Sequence, residues 1–435
     1  MENLLLQVVS KLNMRAAYEQ VVKDKGAPGV DGVKAEELSA YLKTHWQRIR
    51  SEILGGTYHP SPVRGVKIPK PNGGQRQLGI PTVVDRLIQQ AIHQVLSPLY
   101  DPEFSVFSYG FRPNRNAHQA LFQALNYINE GRQDIIDLDL KSFFDKVDHD
   151  KLMGLLRRRI QDKLFLRLIR RYLQCGMMED SEISPRSQGT PQGGPLSPLL
   201  SNILLNELDK ELSKRGHCFV RYADDCSIFL KSKSAAERAR ASITRYLEGE
   251  LLLEVNEEKT SICRPVNFTL LGHGFVPTYK KGERGKYRLR IAKKSWDRLK
   301  EKIKAITRKT LPITVGERID ELNSLMIGWV QYFKYATGYQ KLKDLDAWVR
   351  CRLRYCIWKQ WKKPRRRYRA FLQLGVEESW ARRYAWSRLG GWRIACSPIM
   401  GTTVTEARLR QRGYIPFLDY YLQVKHGKKK SEVVL

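Results

Sequence analysis

The stretch Asp134-Ile135-Ile136-Asp137-Leu138-Asp139-Leu140 alternates in character, with Ile136, Leu138 and Leu140 on one side of an extended chain and Asp137 and Asp139 on the other. It reads as a strand with a carboxylate face. Further along, Cys218-Phe219-Val220-Arg221-Tyr222 and Cys226-Ser227-Ile228-Phe229-Leu230 read as two more strands, with Ala223-Asp224-Asp225 as the hairpin turn between them. Apolar residues around each acid bury the backbone and leave the carboxylates at strand ends. Taken alone, Asp224-Asp225 is also what an ordinary acidic turn looks like, and Asp139 what an exposed strand residue looks like.

The charge of the chain gives these acids a context. Its 435 residues carry 77 Lys plus Arg against 45 Asp plus Glu, a net charge of +32 and a pI near 9.9. An excess of that size implies a polyanionic partner bound with salt-dependent affinity. Carboxylates gathered on such a surface repel phosphates unless cations sit between them. Hard Mg²⁺ takes a few carboxylates plus substrate phosphates, and two such ions about 3.5 to 4 Å apart can hold the attacking and leaving oxygens of phosphoryl transfer.

The length exceeds what one hydrophobic core fills, so two to four structural units are expected. With 42% hydrophobic and 28% charged residues the chain has an ordinary globular balance. No stretch approaches the ~18 to 20 apolar residues of a bilayer span, and Met1 to Leu6 lacks the basic start of a signal peptide. A soluble, cytoplasmic protein with no membrane partner is expected. The seven cysteines form no C-x-x-C pair and read as reduced, buried thiols.

Residues 1–57 read as helical pieces, Leu4 to Lys25 and Ala35 to Leu54, around the loop Gly26 to Gly32. Tyr58 to Pro81 reads as a basic hairpin with its tip at Lys70-Pro71-Asn72-Gly73-Gly74. Helices are expected over Val83 to Leu99, Ala117 to Asn129 and Asn202 to Leu212, the last following the loop Gly189-Thr190-Pro191-Gln192-Gly193-Gly194. From Lys280 to Thr310 there are 14 basic residues against 3 acidic, and from Lys341 to Ala370, 12 against 2. Seven of the nine tryptophans lie beyond residue 328. Basic helices rich in aromatic residues suit backbone tracking and base stacking. Helices are expected over Trp296 to Thr307, Glu317 to Tyr335 and Leu345 to Trp361. A domain boundary is expected near 280 and a weaker one at the Lys362 to Arg367 run.

In this order, Leu138-Asp139-Leu140-Lys141-Ser142-Phe143-Phe144-Asp145, Gly189 to Gly194, Tyr222-Ala223-Asp224-Asp225 and Leu270-Leu271-Gly272 resemble the palm of a reverse transcriptase. Gly26 to Gly32, Ile68 to Gly74, Leu78 to Arg86 and Tyr109-Gly110-Phe111-Arg112-Pro113 bring the likeness closer to bacterial group II intron-encoded reverse transcriptase/maturases of the class C kind. It runs from about residue 4 to 430. The fold it implies is α+β, a right-hand polymerase: an N-terminal extension (1–57), fingers and palm with an antiparallel sheet (58–280), a helical thumb or maturase domain (281–362) and a basic DNA-binding region (363–435). The implied activity is RNA-directed DNA synthesis on intron RNA, with help to splicing and mobility. A non-catalytic RNA-binding maturase with a relic polymerase site is the alternative. Partners would be the intron RNA, an RNA template with DNA primer, target DNA and deoxynucleoside triphosphates, and the cell compartment the bacterial cytoplasm beside the nucleoid.

By the same resemblance Asp139 and Asp224 would coordinate two Mg²⁺ ions, with Asp225 one step farther out and the Leu140 carbonyl completing one site. Phe144 would close off the sugar 2′ position, leaving a ribonucleotide hydroxyl neither room nor partner; Phe143 reads as core. Gln192 would touch the nucleotide sugar, Lys70 and Arg76 would clamp its triphosphate, and Lys259 would protonate the leaving pyrophosphate. Arg365, Arg366 and Arg367 would form part of a nucleic-acid-binding face. Gly328-Trp329 with Tyr332-Phe333 resembles the maturase element, and reads equally as an aromatic helix core. Many relatives carry a C-terminal HNH nuclease with paired cysteines, and self-sufficient second-strand cleavage is not expected of this chain.

Overall fold

The computed structural model describes residues 3–69, 74–180, 182–279, 281–283 and 285–427. The expected hairpin tip, Lys70 included, lies outside them. The chain divides into two compact units, 1–268 and 269–435.

The first unit opens with α1 (Leu4–Val8), α2 (Lys11–Asp24) and α3 (Leu38–Leu54). The single helix expected from Leu4 to Lys25 is two, because Ser10 turns extended and its side chain caps the Asn13 amide. β1 (Val63–Pro69) and β2 (Gln75–Ile80) pair antiparallel with Pro69 opposite Gln75, and α4 (Val83–Tyr100) and α5 (Ala117–Asn129) follow. Asp85 on α4 is 1% exposed and accepts hydrogen bonds from Tyr58 Oη, Thr82 Oγ1, the Ser61 amide and Tyr172 Oη. A buried acid survives when its lone pairs are filled in this way, and here it ties the chain entering β1 to two helices.

β3 (Asp134–Leu138) comes next, then α6 (Phe143–Lys146), α7 (His149–Arg157), α8 (Lys163–Gln174), β4 (Met177–Glu179), β5 (Glu182–Ser184) and α9 (Ser197–Lys214). The unit finishes with β6 (Cys218–Tyr222), β7 (Asp225–Leu230), α10 (Lys233–Gly249) and β8 (Ser261–Cys263). One four-stranded sheet runs β2-β1-β4-β5 and the other β6-β7-β3-β8. The second is antiparallel throughout, with Ile136 opposite Ile228 and Ile262. Ile135 is as buried as Ile136. The acidic side of β3 is therefore wet only toward its C-terminal end.

The second unit holds β9 (Thr269–Leu270), β10 (His273–Pro277) and β11 (Tyr287–Ile291), a small sheet of order β11-β10-β9. Because these strands belong to it, the first unit ends at Phe268 rather than near 280. Three long helices follow, α11 (Lys293–Ile306), α12 (Val315–Phe333) and α13 (Tyr339–Gln360). Arg318, 2% exposed, donates to the Ile306 and Leu311 carbonyls and so seals the end of α11, where cations are favoured. The Lys362 to Arg367 run is not a break between folded parts. It leads into α14 (Pro364–Gln373), α15 (Glu378–Ala385), α16 (Gly391–Ala395), α17 (Pro398–Thr403), α18 (Glu406–Gln411) and α19 (Phe417–Lys425), and this segment packs back on α12 and α13. Asp346 of α13 accepts from the Phe417 and Leu418 amides, holding the start of α19.

Candidate active site

Asp139 follows directly on β3. Its carbonyl accepts the Asn256 amide at 2.9 Å and its amide donates to Thr260 Oγ1 at 3.2 Å, so the backbone is fixed on both sides. Leu140 makes a lone bridge to Val255. On the neighbouring strand, Leu138 pairs with Cys226, and the same register carried one residue on faces Asp139 with Asp225. Asp224 occupies the turn between β6 and β7, where Tyr222 pairs with Asp225. The three acids thus assemble from two chain segments.

Their electrostatics are those of crowded like charges. Burial, then Asp224 and Asp139, push the Asp225 carboxyl up to about 6. Burial, then Asp225 and Asp139, push Asp137 up to about 6 as well. Burial also raises Asp224, against the pull of its own amide and of Arg76. Three cations answer them: Lys259 Nζ lies 3.6 Å from Asp139 Oδ2, Arg76 on β2 acts on both Asp224 and Asp225, and Arg221 acts on Asp224. Lys259 sits in a turn after Asn256, whose side chain accepts its amide. Among the described residues, no three His, Cys, Asp or Glu side chains converge tightly enough to hold a metal ion by themselves. Hard donors that are mutually repelled and accessible from one side nonetheless suit a divalent cation that draws its remaining ligands from phosphates.

Phe143, Phe144 and Gln192 lie on the segments between β3 and α9. Ser142 turns left-handed at φ 49° and starts α6, in which Phe143 is 2% exposed and Phe144 half-buried, their rings edge-on 5.2 Å apart. The Thr190 amide donates to the Phe144 carbonyl at 2.6 Å, and the Gly189 amide to the Val147 carbonyl at 2.7 Å. At φ 85°, with the Asp145 carbonyl 2.7 Å from where a Cβ would be, position 189 admits only glycine. The half-buried Gln192 lies in the same loop, and its carbonyl accepts the Gly79 amide at 2.8 Å. One loop therefore joins the aromatic of α6 to the root of the hairpin bearing Arg76.

In the second unit, α11 and α13 line a groove of about 630 Å³ with Lys293, Lys300, Lys304 and Lys341 against two acids, Asp297 and Asp344. Trp329 packs on Trp296 at 5.0 Å, on Phe333 at 4.7 Å and on Phe417 at 6.4 Å. The packing role accounts for these side chains. Arg365 and Arg366 are exposed, whereas the Arg367 guanidinium lies 4.2 Å over the Trp358 ring. Consecutive residues of α14 point about 100° apart, so the three do not share a face.

Sequence reading passed over Arg221, a wholly buried guanidinium beside the acidic turn, and its partner Asp209 on α9. The available signal was the polar series Asn202, Asn206, Asp209 along an otherwise apolar helix stripe.

Carboxylates at a hairpin turn and a strand end, in a strongly basic chain, are a donor set that suits nucleotidyl transfer. Residues 68–275 match the family described as reverse transcriptase (RNA-dependent DNA polymerase), and residues 296–375 the group II intron maturase-specific domain. Over 316 residues, 62% of this chain and 82% of the relative, the sequence is 36% identical to protein YkfC of Escherichia coli. It is 39% identical to the group II intron-encoded protein LtrA of Lactococcus lactis over 45% of this chain and 32% of LtrA. It is 26% identical to the putative COX1/OXI3 intron 1 protein of Saccharomyces cerevisiae over 80% of this chain and 52% of that protein. The chain thus spans most of YkfC, but only about a third of LtrA and half of the yeast protein. The chain belongs to the reverse transcriptase family and carries a group II intron maturase-specific domain in its second unit.

Proposed function

We propose that the chain is the RNA-directed DNA polymerase of a group II intron, of the bacterial class C kind. It copies intron RNA from a DNA primer and assists splicing and mobility by binding that RNA. The observation that carries this reading is the convergence of Asp139, Asp224 and Asp225 at one end of an antiparallel sheet, beside the loop that joins Phe144 to Gln192.

The acids would hold two Mg²⁺ ions, Asp139 and Asp224 sharing both and the Leu140 carbonyl completing one site. Bound there, the ions would neutralise the triphosphate and stabilise the attacking and leaving oxygens. Phe144 excludes a 2′ hydroxyl, and Gln192 contacts the sugar from the opposite loop. Arg76, already within electrostatic reach of Asp224, moves with its hairpin to the triphosphate, and Lys70 of the same hairpin joins it. Lys259 donates a proton to the departing pyrophosphate.

Residues 281–362 act as thumb and maturase domain, the Lys-lined groove of α11 and α13 taking a nucleic-acid backbone. Residues 363–435 engage target DNA, with Arg365 and Arg366 free to meet phosphates. The work is done in the cytoplasm beside the nucleoid; among the described residues no helix is long and apolar enough to cross a membrane. Primer extension on an RNA template with Mg²⁺ and deoxynucleoside triphosphates tests the reading. Full-length cDNA is expected; intron RNA binding without any extension would favour the relic maturase.

A further inference from the structure

The turn bearing Asp224 is tied into the protein by a charged network that touches no solvent. Arg221 of β6 and Asp209 of α9 are both fully buried. Arg221 Nε and Nη2 donate to the two Asp209 carboxylate oxygens at 2.8 and 2.6 Å, a two-pronged contact that fixes the guanidinium plane. Its Nη1 donates to Asn202 Oδ1 at 2.8 Å and to the Ala223 carbonyl at 2.9 Å. Asn202, 1% exposed, donates from Nδ2 to the Gly110 carbonyl at 2.9 Å. Gly110 backs directly onto the turn: a Cβ there would lie 2.3 Å from the Ala223 amide nitrogen.

What this network restrains is strained. Ala223 has φ 58°, a left-handed conformation that glycine usually fills and that persists only where the surroundings impose it. Stability alone does not account for the charges, because an apolar pair of similar volume commonly serves a core as well or better. A fork of fixed geometry supplies direction instead. It sets where the Ala223 carbonyl stands, and the next residue is Asp224. The chain on either side is pinned too: the Arg221 amide donates to the Phe107 carbonyl and its own carbonyl accepts the Tyr109 amide, both at 2.9 Å.

We propose that Arg221, oriented by Asp209 and Asn202 and backed by Gly110, is the positioning residue that holds the Ala223-Asp224-Asp225 turn so that its carboxylates face Asp139. The inference rests on the polymerase reading for its consequence in rate, and on the turn alone for its consequence in cation binding.

Three variants of the full chain test it: Gly110→Ala, which wedges the turn and keeps every charge; Asn202→Leu, which removes one neutral support; and Arg221→Met with Asp209→Leu, which strands neither charge. Circular dichroism first establishes that each is folded at the assay temperature. Mn²⁺ binding is then followed by electron paramagnetic resonance without nucleic acid, and single-nucleotide incorporation on a saturating RNA template with DNA primer is measured against Mg²⁺. The expected result is a fall in incorporation of about tenfold or more, with half-saturating Mn²⁺ raised several-fold and primer-template affinity unchanged. A general loss of fold would lower primer-template affinity as well, which separates positioning from mere support. Folded variants with parental Mn²⁺ binding and parental rate would overturn the proposal. If the charge-deleted variant does not fold, Gly110→Ala and Asn202→Leu decide. A parent chain without incorporation would refute the polymerase reading, and the Mn²⁺ titrations would still decide the positioning.

Discussion

Lys259 Nζ stands 3.6 Å from Asp139 Oδ2, a partner of the strand-end acid and, in the function proposed, the donor to the leaving pyrophosphate. The two roles separate experimentally. Lys259→Ala should slow incorporation on the order of 10²-fold, the lower range for loss of a general acid, while cation binding tightens because Asp139 loses a competitor. A slower rate that is restored simply by adding more Mg²⁺ would count against proton donation.

Asp139→Ala and Asp224→Ala should each abolish cDNA synthesis and leave RNA affinity intact, since that affinity rests on distributed basic surface. Gel-based extension and filter binding read the two quantities. Residual extension by either variant would remove its acid from the proposed metal site.

The crowded carboxylates also predict a pH dependence. Asp225 and Asp137 both stand at about 6 against 3.8 for a free side chain. A carboxyl raised in the fold binds its proton more tightly there than in the unfolded chain. Its contribution is therefore full below about pH 4 and is lost as pH rises through about 6. Asp225→Asn removes one of the repelling charges, and should melt about 2 to 4 °C above the parent at pH 7, with the difference vanishing near pH 4. Equal melting at both pH values would dismiss the repulsion as a stability term.

Phe144→Ala should admit ribonucleotides, and Phe143→Ala should instead cost about 3 to 5 kcal/mol of stability through a core cavity. Nucleotide competition and thermal melting distinguish them. The half-buried and fully buried states of the two rings are what assign the opposite outcomes.

Replacing Arg365 and Arg366 by alanine should lower the salt slope of duplex binding by about two. Arg367→Ala should leave that slope alone and lose about 1 kcal/mol of stability, because its guanidinium stacks on Trp358. A full three-unit change on replacing all of them would mean that Arg367 leaves the ring to bind phosphate.

Much of the site could be read from local pattern. Alternation around Asp139 and the apolar runs flanking Ala223-Asp224-Asp225 locate strands and turn, since both signals lie within a few residues. The alternation on β3 was less complete than the spacing suggests, because Ile135 is buried on the side that also carries Asp137. β4 and β5 are three residues each and offer too little pattern to find. The Arg221 and Asp209 pair is only half legible: Asp209 belongs to a polar series on an apolar helix stripe, but nothing local names its partner. A buried arginine in a strand looks like any basic residue until the helix that answers it is folded alongside. Arg367 escaped likewise, since only the tertiary fold brings it over Trp358.

The bond from the Gly79 amide to the Gln192 carbonyl has a bearing on accuracy of copying. Gly79 stands at the foot of the hairpin that carries Arg76, and the loop of Gln192 holds the Phe144 backbone through Thr190. In the function proposed, a hairpin drawn inward by a triphosphate would pull on the loop that backs Phe144. Grip on the triphosphate and exclusion of a 2′ hydroxyl would then be coupled through this one bond, and a change at Gly79 or Gln192 would be felt at both.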